Sequence, residues 1–167
     1  MHFYPNIYIE KITDITMVLV KKYHIKGFIL DVDNTLIDYN KQMLEGVEKW
    51  CNDLKKETIS FCIVSNSNKK EKVKKVAKKL DIPYVFFATK PFKRGFKKAK
   101  RILGLQDKQI AVVGDQLFTD VLGANRCNMI SILTKPIDEK DLFITVIKRP
   151  IERYILKKYE SKQKGEK

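Results

Sequence analysis

Two aspartates, Asp31 and Asp33, lie one residue apart at the end of a short apolar run, Phe28 to Leu30. Such a run is typical of a buried parallel strand, which delivers the residues after it to the carboxyl edge of a sheet. Alternation along an extended chain points both carboxylates the same way, where they repel each other unless a cation or a shared proton intervenes. The pair therefore indicates a site at which a cation or a shared proton lies between the two acids. The plainer alternative is a polar turn in which Asp33 or Asn34 caps the next helix.

Further polar groups follow later apolar runs in the order Ser65, Lys90, Asp115 and Asp120. Each should lie on the same edge of a parallel sheet, because each follows a predicted strand. Taken singly, a serine or lysine at such a place is usually a cap or a solvated side chain, and a Gly-Asp pair is usually a turn. The order, the placement after strands and the joint chemistry of these groups make the set typical of phosphoryl transfer.

The chemistry can be assigned group by group. Asp31 can act as a carboxylate nucleophile that forms an aspartyl-phosphate, and Asp33 can protonate the leaving oxygen and later activate water. Ser65 offers a hydroxyl, with nearby backbone N–H groups, to phosphate oxygens. Lys90 can neutralise charge on the phosphate and keep the nucleophile ionised.

An oxygen-rich metal site is predicted at the same edge. Asp31, Asp115 and the backbone carbonyl of Asp33 are ligands suited to Mg²⁺, and a metal there would relieve the repulsion among the acids. Asp120 is expected to support the metal shell or to orient Lys90.

The elements that position these groups alternate along the chain. Amphipathic helical spacing, such as that of Val47, Trp50, Cys51 and Leu54, separates the apolar runs. Alternating strands and helices predict an α/β fold with a parallel sheet and right-handed crossovers. The predicted strands are Lys26–Asp31, Ile59–Val64, Tyr84–Phe87, Ile110–Val113 and Met129–Leu133, and a short helix is predicted from Asp120 to Arg126.

Both ends of the chain are predicted to contribute helices. Near the N-terminus, Ile15, Val18 and Leu19 share one helical face that would pack on the first strand. Near the C-terminus a basic amphipathic helix begins at Ile151, and its apolar side is expected to hold Ile151, Tyr154, Ile155 and Tyr159.

At 167 residues the chain is expected to form one domain over residues 1–160, followed by a disordered basic tail over 161–167. No apolar run has the length of a membrane span, and the N-terminus does not have the pattern of a signal peptide. The cysteines Cys51, Cys62 and Cys127 are odd in number and lack metal-ligand spacing. They predict reduced core thiols in a cytoplasmic protein.

The formal net charge is +14. Such a field favours anionic partners: nucleic acid, anionic phospholipid or phosphorylated substrates. The plainer alternative is that the lysines of Lys69–Lys79 and Lys93–Arg101 form solvated helix faces.

These motifs resemble those of the haloacid dehalogenase (HAD) superfamily of phosphotransferases, and more narrowly its subfamily IIIA phosphatases of the YqeG type. The likeness is carried by Tyr4-Pro5, the run from Leu30 to Leu36, Ser65, Lys90-Pro91 and the run from Gly114 to Asp120. It implies a Rossmann-like three-layer sandwich around a central five-stranded parallel sheet. One departure is Gln116, which follows Asp115 where many subfamily III enzymes have a second acid.

The resemblance also implies roles for individual residues. Asp31, Asp33 and Lys90 would be catalytic, with Asp31 as nucleophile and Asp33 as general acid and base. Ser65, Asn66 and Thr35 would hold the phosphate. Mg²⁺ would be the cofactor, and its ligands would be Asp31, Asp33 and Asp115.

The spacing between Asp31, Ser65 and Lys90 leaves room only for loops, helices and strands, so no cap domain is expected and the site should be open. An open site suits bulky or surface-bound phosphates. Relatives of the YqeG type include phosphatases that act on phosphatidylglycerophosphate, which implies a peripheral position at the inner face of an anionic membrane. The expected rim of the site is the basic surface near Lys69, Lys70, Lys93 and Arg94.

Two other functions remain open from the sequence. The first is a phosphatase for a phosphoprotein, a nucleic-acid end or a soluble metabolite. The second, from another class, is a basic nucleic-acid-binding module. The lysine-rich segments lack an aromatic stacking platform and a known binding motif, which disfavours the module.

Overall fold

Six parallel strands form one sheet in the order β1-β6-β5-β2-β3-β4. This architecture comes from a computed structural model, which describes residues 3–138, 154–155, 157–159 and 161. The strands are β1 (Ile7–Ile9), β2 (Gly27–Leu30), β3 (Ser60–Val64), β4 (Tyr84–Val85), β5 (Ile110–Gly114) and β6 (Ile130–Thr134). The helices are α1 (Met17–Lys22), α2 (Val47–Lys56), α3 (Lys70–Leu80), α4 (Lys93–Leu103) and α5 (Leu122–Arg126).

The predicted α/β class and parallel sheet are confirmed, but the sheet has six strands rather than five. The additional strand is β1, which pairs with β6 at the edge of the sheet, with Ile7 opposite Ile132 and Ile9 opposite Thr134. A strand of three residues is too short to show the alternation by which strands are recognised in a sequence.

Helices cover both faces of the sheet, as a three-layer sandwich requires. Phe28 and Leu30 of β2 belong to the core on the side of α1, α2 and α3, whereas Ile29 belongs to the core on the side of α4 and α5. This alternation explains why β2 is apolar at every position. Cys51 and Cys62 lie buried in these two layers as free thiols, as predicted, whereas the free thiol of Cys127 is only partly buried.

The first helix differs from its prediction. Thr16 caps α1 by accepting a hydrogen bond from the backbone N–H of Leu19 at 3.3 Å. Ile15 therefore precedes the helix, Val18 is 78% exposed, and Val20 is the buried residue. The predicted apolar face was wrong because it combined Ile15, which precedes the helix, with Val18 and Leu19, which lie within it.

The C-terminal segment is described only in part. Ile155 packs beside Leu117 and Leu133, and the rings of Tyr159 and Tyr4 lie 5.8 Å apart. Tyr154 is exposed rather than on the packed side with Ile155. The start of the predicted helix at Ile151 and residues 162–167 of the predicted tail lie outside the described residues, so the proposed domain limits stay a prediction.

The order of the strands determines where a site can form. The chain winds outward from β2 to β3 and β4, then returns to β5 on the other side of β2. In open α/β sheets the crevice at the carboxyl ends of the strands around such a switch point is the usual place for a ligand. Here that crevice lies between the ends of β2 and β5. In the part of the chain that the structure describes, no helix is both long and apolar enough to cross a bilayer.

Candidate active site

Asp31 is held at the centre of the carboxyl edge. It directly follows β2, and its backbone N–H donates to the carbonyl of Val113 in β5 at 2.9 Å. The residue is buried. A buried carboxylate needs a charge partner or a proton, because burial disfavours the ionised form.

That partner is Lys90. Its Nζ donates to Oδ1 of Asp31 and to Oδ1 of Asp120, each at 2.6 Å. The Lys90 side chain is only 3% exposed. The sequence left two roles open for Asp120, support of the metal shell or orientation of Lys90. In the structure its carboxylate accepts a hydrogen bond from Lys90.

The loop that carries Lys90 is fixed by Asn66, at the end of β3. The side-chain Nδ2 of Asn66 donates to the carbonyl of Lys90 at 3.0 Å, and its Oδ1 accepts from the backbone N–H of Lys90 at 2.6 Å. These two bonds bind the β3 and β4 connections together and direct the lysine inward. The phosphate contact expected of Asn66 stays a prediction beside this positioning role.

Asp120 reaches the site because Gly114 has no side chain. A Cβ added at Gly114 would overlap the carboxyl group of Asp120. Asp120 Oδ2 also accepts from the backbone N–H of Gln116 at 3.2 Å. The Gly114-Asp115 pair therefore does more than make a turn: it lets a second acid lie beside the end of β5.

Charge and burial oppose each other in this cluster. Burial raises the pKa of Asp31 to about 7, with the positive charge of Lys90 working against that shift. Burial and the charge of Asp31 raise the pKa of Asp115 well above its usual range. Burial alone would lower the pKa of Lys90, but the carboxylates of Asp120 and Asp31 outweigh it and raise that pKa. Lys90 is therefore a permanent cation at neutral pH.

The acids can hold a divalent metal ion. One carboxylate oxygen from each of Asp31, Asp115 and Asp120 lies within 4.8 Å of the others. Asp115 Oδ1 is buried and has no hydrogen-bond partner among the described residues. Three carboxylates and one ammonium leave a formal charge of −2 when all are ionised, and carboxylate oxygens are the ligands that Mg²⁺ prefers. The structure thus makes Asp120 a further candidate ligand, and ligation by Asp31, Asp33 and Asp115 stays a prediction.

Asp33 lies apart from this buried cluster. Its side chain is 51% exposed, and both of its oxygens accept from Nζ of Lys72 in α3, at 2.6 and 2.7 Å. Sequence reasoning missed Lys72, because nothing in its spacing separates it from the other lysines of that helix. Asp33 is thus a half-exposed acid, two residues after Asp31, whose carboxylate is paired with Lys72, and its predicted catalytic role stays a prediction.

The remaining predicted phosphate ligands, Ser65 and Thr35, are both buried. Ser65 follows β3, and its Oγ accepts from the backbone N–H of Ser67 at 3.1 Å. Thr35 follows the first motif, and its buried Oγ1 has no hydrogen-bond partner within the described ranges. Both hydroxyls retain the capacity to donate to an anion, and their roles stay predictions.

The segment between β2 and α2 is a loop rather than a cap domain. Ile37 makes isolated bridges to Asp33 and Met43, so the loop folds back on itself beside the first motif. A concavity of about 590 Å³ lies instead at the opposite edge of the sheet, where His24 and Lys108 contribute to its lining. Asp31, Asp115 and Asp120 do not line it. The predicted open site agrees with this arrangement.

The sequence of the chain is similar to those of known proteins. A family model described as "Mitochondrial PGP phosphatase" matches residues 1–138. The chain belongs to this family. The "Probable phosphatase YqeG" of Bacillus subtilis (strain 168) is 37% identical over 155 residues, which cover 92% of this chain and 90% of the relative. The predicted kinship with HAD phosphatases of the YqeG type is thereby confirmed, and the protein is a phosphatase rather than solely a binding module.

Solved structures share the fold at lower identity. An uncharacterized protein from Listeria monocytogenes serotype 4b has a TM-score of 0.56 and 17% identity, covering 71% of this chain and 86% of that chain. The cobalt-bound deoxy-D-mannose-octulosonate 8-phosphate phosphatase YrbI from Haemophilus influenzae has a TM-score of 0.50 and 20% identity, covering 57% and 61%. These likenesses confirm the Rossmann-like architecture.

Proposed function

We propose that the protein is a Mg²⁺-dependent phosphomonoesterase that acts through an aspartyl-phosphate on Asp31, and that its substrate is phosphatidylglycerophosphate. The observation that carries the chemistry is the buried bridge from Lys90 to Asp31 and Asp120, beside an oxygen of Asp115 that has no hydrogen-bond partner in the described part of the chain. The description of the matching family supports the substrate.

In the first step, a carboxylate oxygen of Asp31 attacks phosphorus and the bond from phosphorus to the ester oxygen breaks. Asp33 donates its proton to that oxygen, which leaves as an alcohol. Lys90 fixes one oxygen of the nucleophile at 2.6 Å, so the carboxylate is oriented before the substrate arrives.

In the second step, Asp33 takes a proton from a water molecule as the water attacks phosphorus. The acyl-phosphate bond breaks, Asp31 is regenerated and inorganic phosphate leaves. Throughout, the charge of Lys90 opposes the negative charge that gathers on the phosphoryl oxygens.

The metal has a defined place in this proposal. Asp31, Asp115 and Asp120 would hold it, with the Asp33 carbonyl as a further expected ligand. When bound, Mg²⁺ supplies charge neutralisation to the phosphoryl group and to the acids. Mg²⁺ is favoured because all of these donors are oxygens.

A lipid substrate agrees with the chain's charge and open site. A net charge of +14 attracts an anionic bilayer, and a loop in place of a cap leaves the edge near Asp31 accessible to a phosphate that stays anchored in a membrane. A soluble phosphate ester, by contrast, would find no enclosing domain to desolvate it. We therefore place the enzyme at the inner face of a membrane as a peripheral protein.

Asp33→Asn is expected to lower steady-state turnover by roughly 10²–10⁴-fold, because general acid–base help is lost in both steps. Asp53→Asn is the matched control, since Asp53 is also a half-exposed carboxylate paired with lysines, Lys49 and Lys56. Phosphate release by both variants is measured with Mg²⁺. Undiminished turnover by Asp33→Asn would remove this role, as would an equal loss in the control.

Catalytic efficiency on phosphatidylglycerophosphate in anionic mixed micelles is expected to exceed that on soluble sugar phosphates. It should also fall as salt rises, because exposed charges are screened beyond roughly 10 Å at 0.1 M salt. The comparison is kcat/KM for both substrate classes at low and high salt. Equal or better efficiency on a soluble ester, with no salt effect on the lipid, would reject the lipid substrate and leave the phosphatase chemistry standing.

A further inference from the structure

Three phenylalanines are exposed on the segment that carries Lys90. Phe86, Phe87 and Phe92 lie in the connection from β4 to α4, and Phe87 and Phe92 are 62% and 63% exposed. Large apolar side chains grouped at a surface are typical of a protein or membrane contact site. The catalytic mechanism uses none of them.

The backbone that presents these rings is held by hydrogen bonds. The N–H of Phe87 donates to the carbonyl of Ser67 at 3.0 Å, and the N–H of Phe92 donates to that of Thr89 at 3.0 Å. Phe87 also has a left-handed φ of 48°, a costly conformation for an aromatic residue. The segment is thus tied down on its backbone side while the rings face solvent.

Basic residues begin the two helices on either side of this segment in the chain. Lys69 and Lys70 stand at the start of α3, and Lys93 and Arg94 at the start of α4. All four are exposed, with Glu71 the acid in the first turn of α3. Helices that follow parallel strands begin at the carboxyl edge, so this charge lies on the same side of the sheet as the catalytic acids.

One contact joins the two sets. Nζ of Lys70 lies 5.7 Å from the centre of the Phe86 ring, which places a cation over an aromatic face. The covered ring of Phe86 leaves Phe87 and Phe92 as the more exposed apolar side chains. We call the seven residues the aromatic–basic rim: Phe86, Phe87, Phe92, Lys69, Lys70, Lys93 and Arg94.

We propose that the aromatic–basic rim docks the enzyme on an anionic phospholipid bilayer. Phe87 and Phe92 enter the interfacial layer, and the basic side chains contact lipid phosphates. Because Lys90 lies between the two rings in the chain, docking brings the catalytic edge to the membrane surface. This inference deepens the proposed function and rests on it for the identity of the substrate, but the docking can be measured without catalysis.

The test is sedimentation of the full chain with vesicles of phosphatidylcholine containing roughly one third phosphatidylglycerol, and with vesicles of phosphatidylcholine alone. The wild type should bind the anionic vesicles much more strongly. The double variant Phe87→Ser/Phe92→Ser should bind them at least about tenfold more weakly, since apolar burial and charge both contribute to interfacial binding.

The matched control is Val18→Ser/Ile102→Ser, because these exposed apolar residues lie on α1 and at the end of α4 and are not part of the rim. It should bind vesicles as the wild type does. Turnover of p-nitrophenyl phosphate, a soluble ester, should be unchanged in both double variants, because neither touches the acids or Lys90.

Undiminished vesicle binding by Phe87→Ser/Phe92→Ser, or an equal loss in the control, would overturn the proposal. So would loss of turnover on the soluble ester, which would place the rings in the active site. Binding of single-stranded RNA through the rim, with no binding to anionic vesicles, would overturn it in favour of a nucleic-acid surface. Vesicle binding by a wild type that hydrolyses no phosphate ester would leave the docking intact and reject the proposed enzyme mechanism.

Discussion

Asp31→Asn is expected to reduce phosphate release by ~10³-fold or more, because the nucleophile itself is removed. An asparagine amide has the shape of the carboxylate but cannot attack phosphorus. Its oxygen can still accept from Lys90, so the cluster keeps its geometry. The measurement is turnover with Mg²⁺ on the best substrate found in a screen of phosphorylated compounds that includes phosphatidylglycerophosphate.

The matched control is Asp107→Asn, since Asp107 is paired with Lys100 at the surface, away from the site. It should retain full activity. Wild-type turnover by Asp31→Asn would reject the aspartyl-phosphate mechanism, whatever the substrate proves to be.

The same variant has an expected signature in stability. The pKa of Asp31 rises on folding from 3.8 to about 7, so between these values the folded state binds more protons than the unfolded state. Stability from this group is therefore lost as the pH rises through that window. In EDTA, the melting temperature of the wild type should fall relative to that of Asp31→Asn as the pH rises from 4 to 7. A cooperative melt of Asp31→Asn also shows that the inactive variant is folded.

The strand-end groups of the site could be predicted from the sequence. Asp31, Ser65 and Asp115 each follow an apolar run, and parallel strands carry such residues to one edge whatever the details of packing. The position of Lys90 was harder to predict, because β4 has only two residues and ends five positions before it. Its position became predictable only from the order of the whole set.

Other features depend on contacts that no local pattern encodes. Lys72 is distinguished from neighbouring lysines only by reaching Asp33 across 39 positions of sequence. The hydrogen bonds of Asn66 to the backbone of Lys90 join two loops, and a serine–asparagine cluster after a strand reads equally well as a cap. The approach of Asp120 to Gly114 is a packing event, visible only when both are placed.

Lys90→Met is expected to destabilise the protein and to lower turnover by roughly 10²–10³-fold, the loss typical of removing one preorganised charge-stabilising donor. Methionine keeps much of the apolar stem but leaves Asp31 and Asp120 buried with no cation. Breaking a buried ion pair by removing one partner costs about 3–5 kcal/mol, because the remaining charge stays uncompensated. In this cluster two carboxylates lose the same partner.

The loss should depend on pH and on metal in a defined direction. Lys90 opposes the rise in the pKa of Asp31 and Asp115, so without it the folded state holds their protons to higher pH. The unfolded chain releases them near their ordinary values. The variant should therefore be closest to the wild type in acid and lose stability as the pH rises, and Mg²⁺ should restore part of it by supplying positive charge to the same oxygens.

Thermal melts at pH 5.5 and pH 8, with EDTA and with Mg²⁺, test this expectation, together with turnover. Lys100→Met is the control, because the Lys100–Asp107 pair is partly exposed and such pairs contribute only about 0–1 kcal/mol. A Lys90→Met protein as stable as the control at pH 8 in EDTA would mean that the buried acids do not depend on this lysine. The bridge from Lys90 to Asp31 and Asp120 would then not stabilise the fold. The proposal that the charge of Lys90 stabilises the buried acids would be rejected.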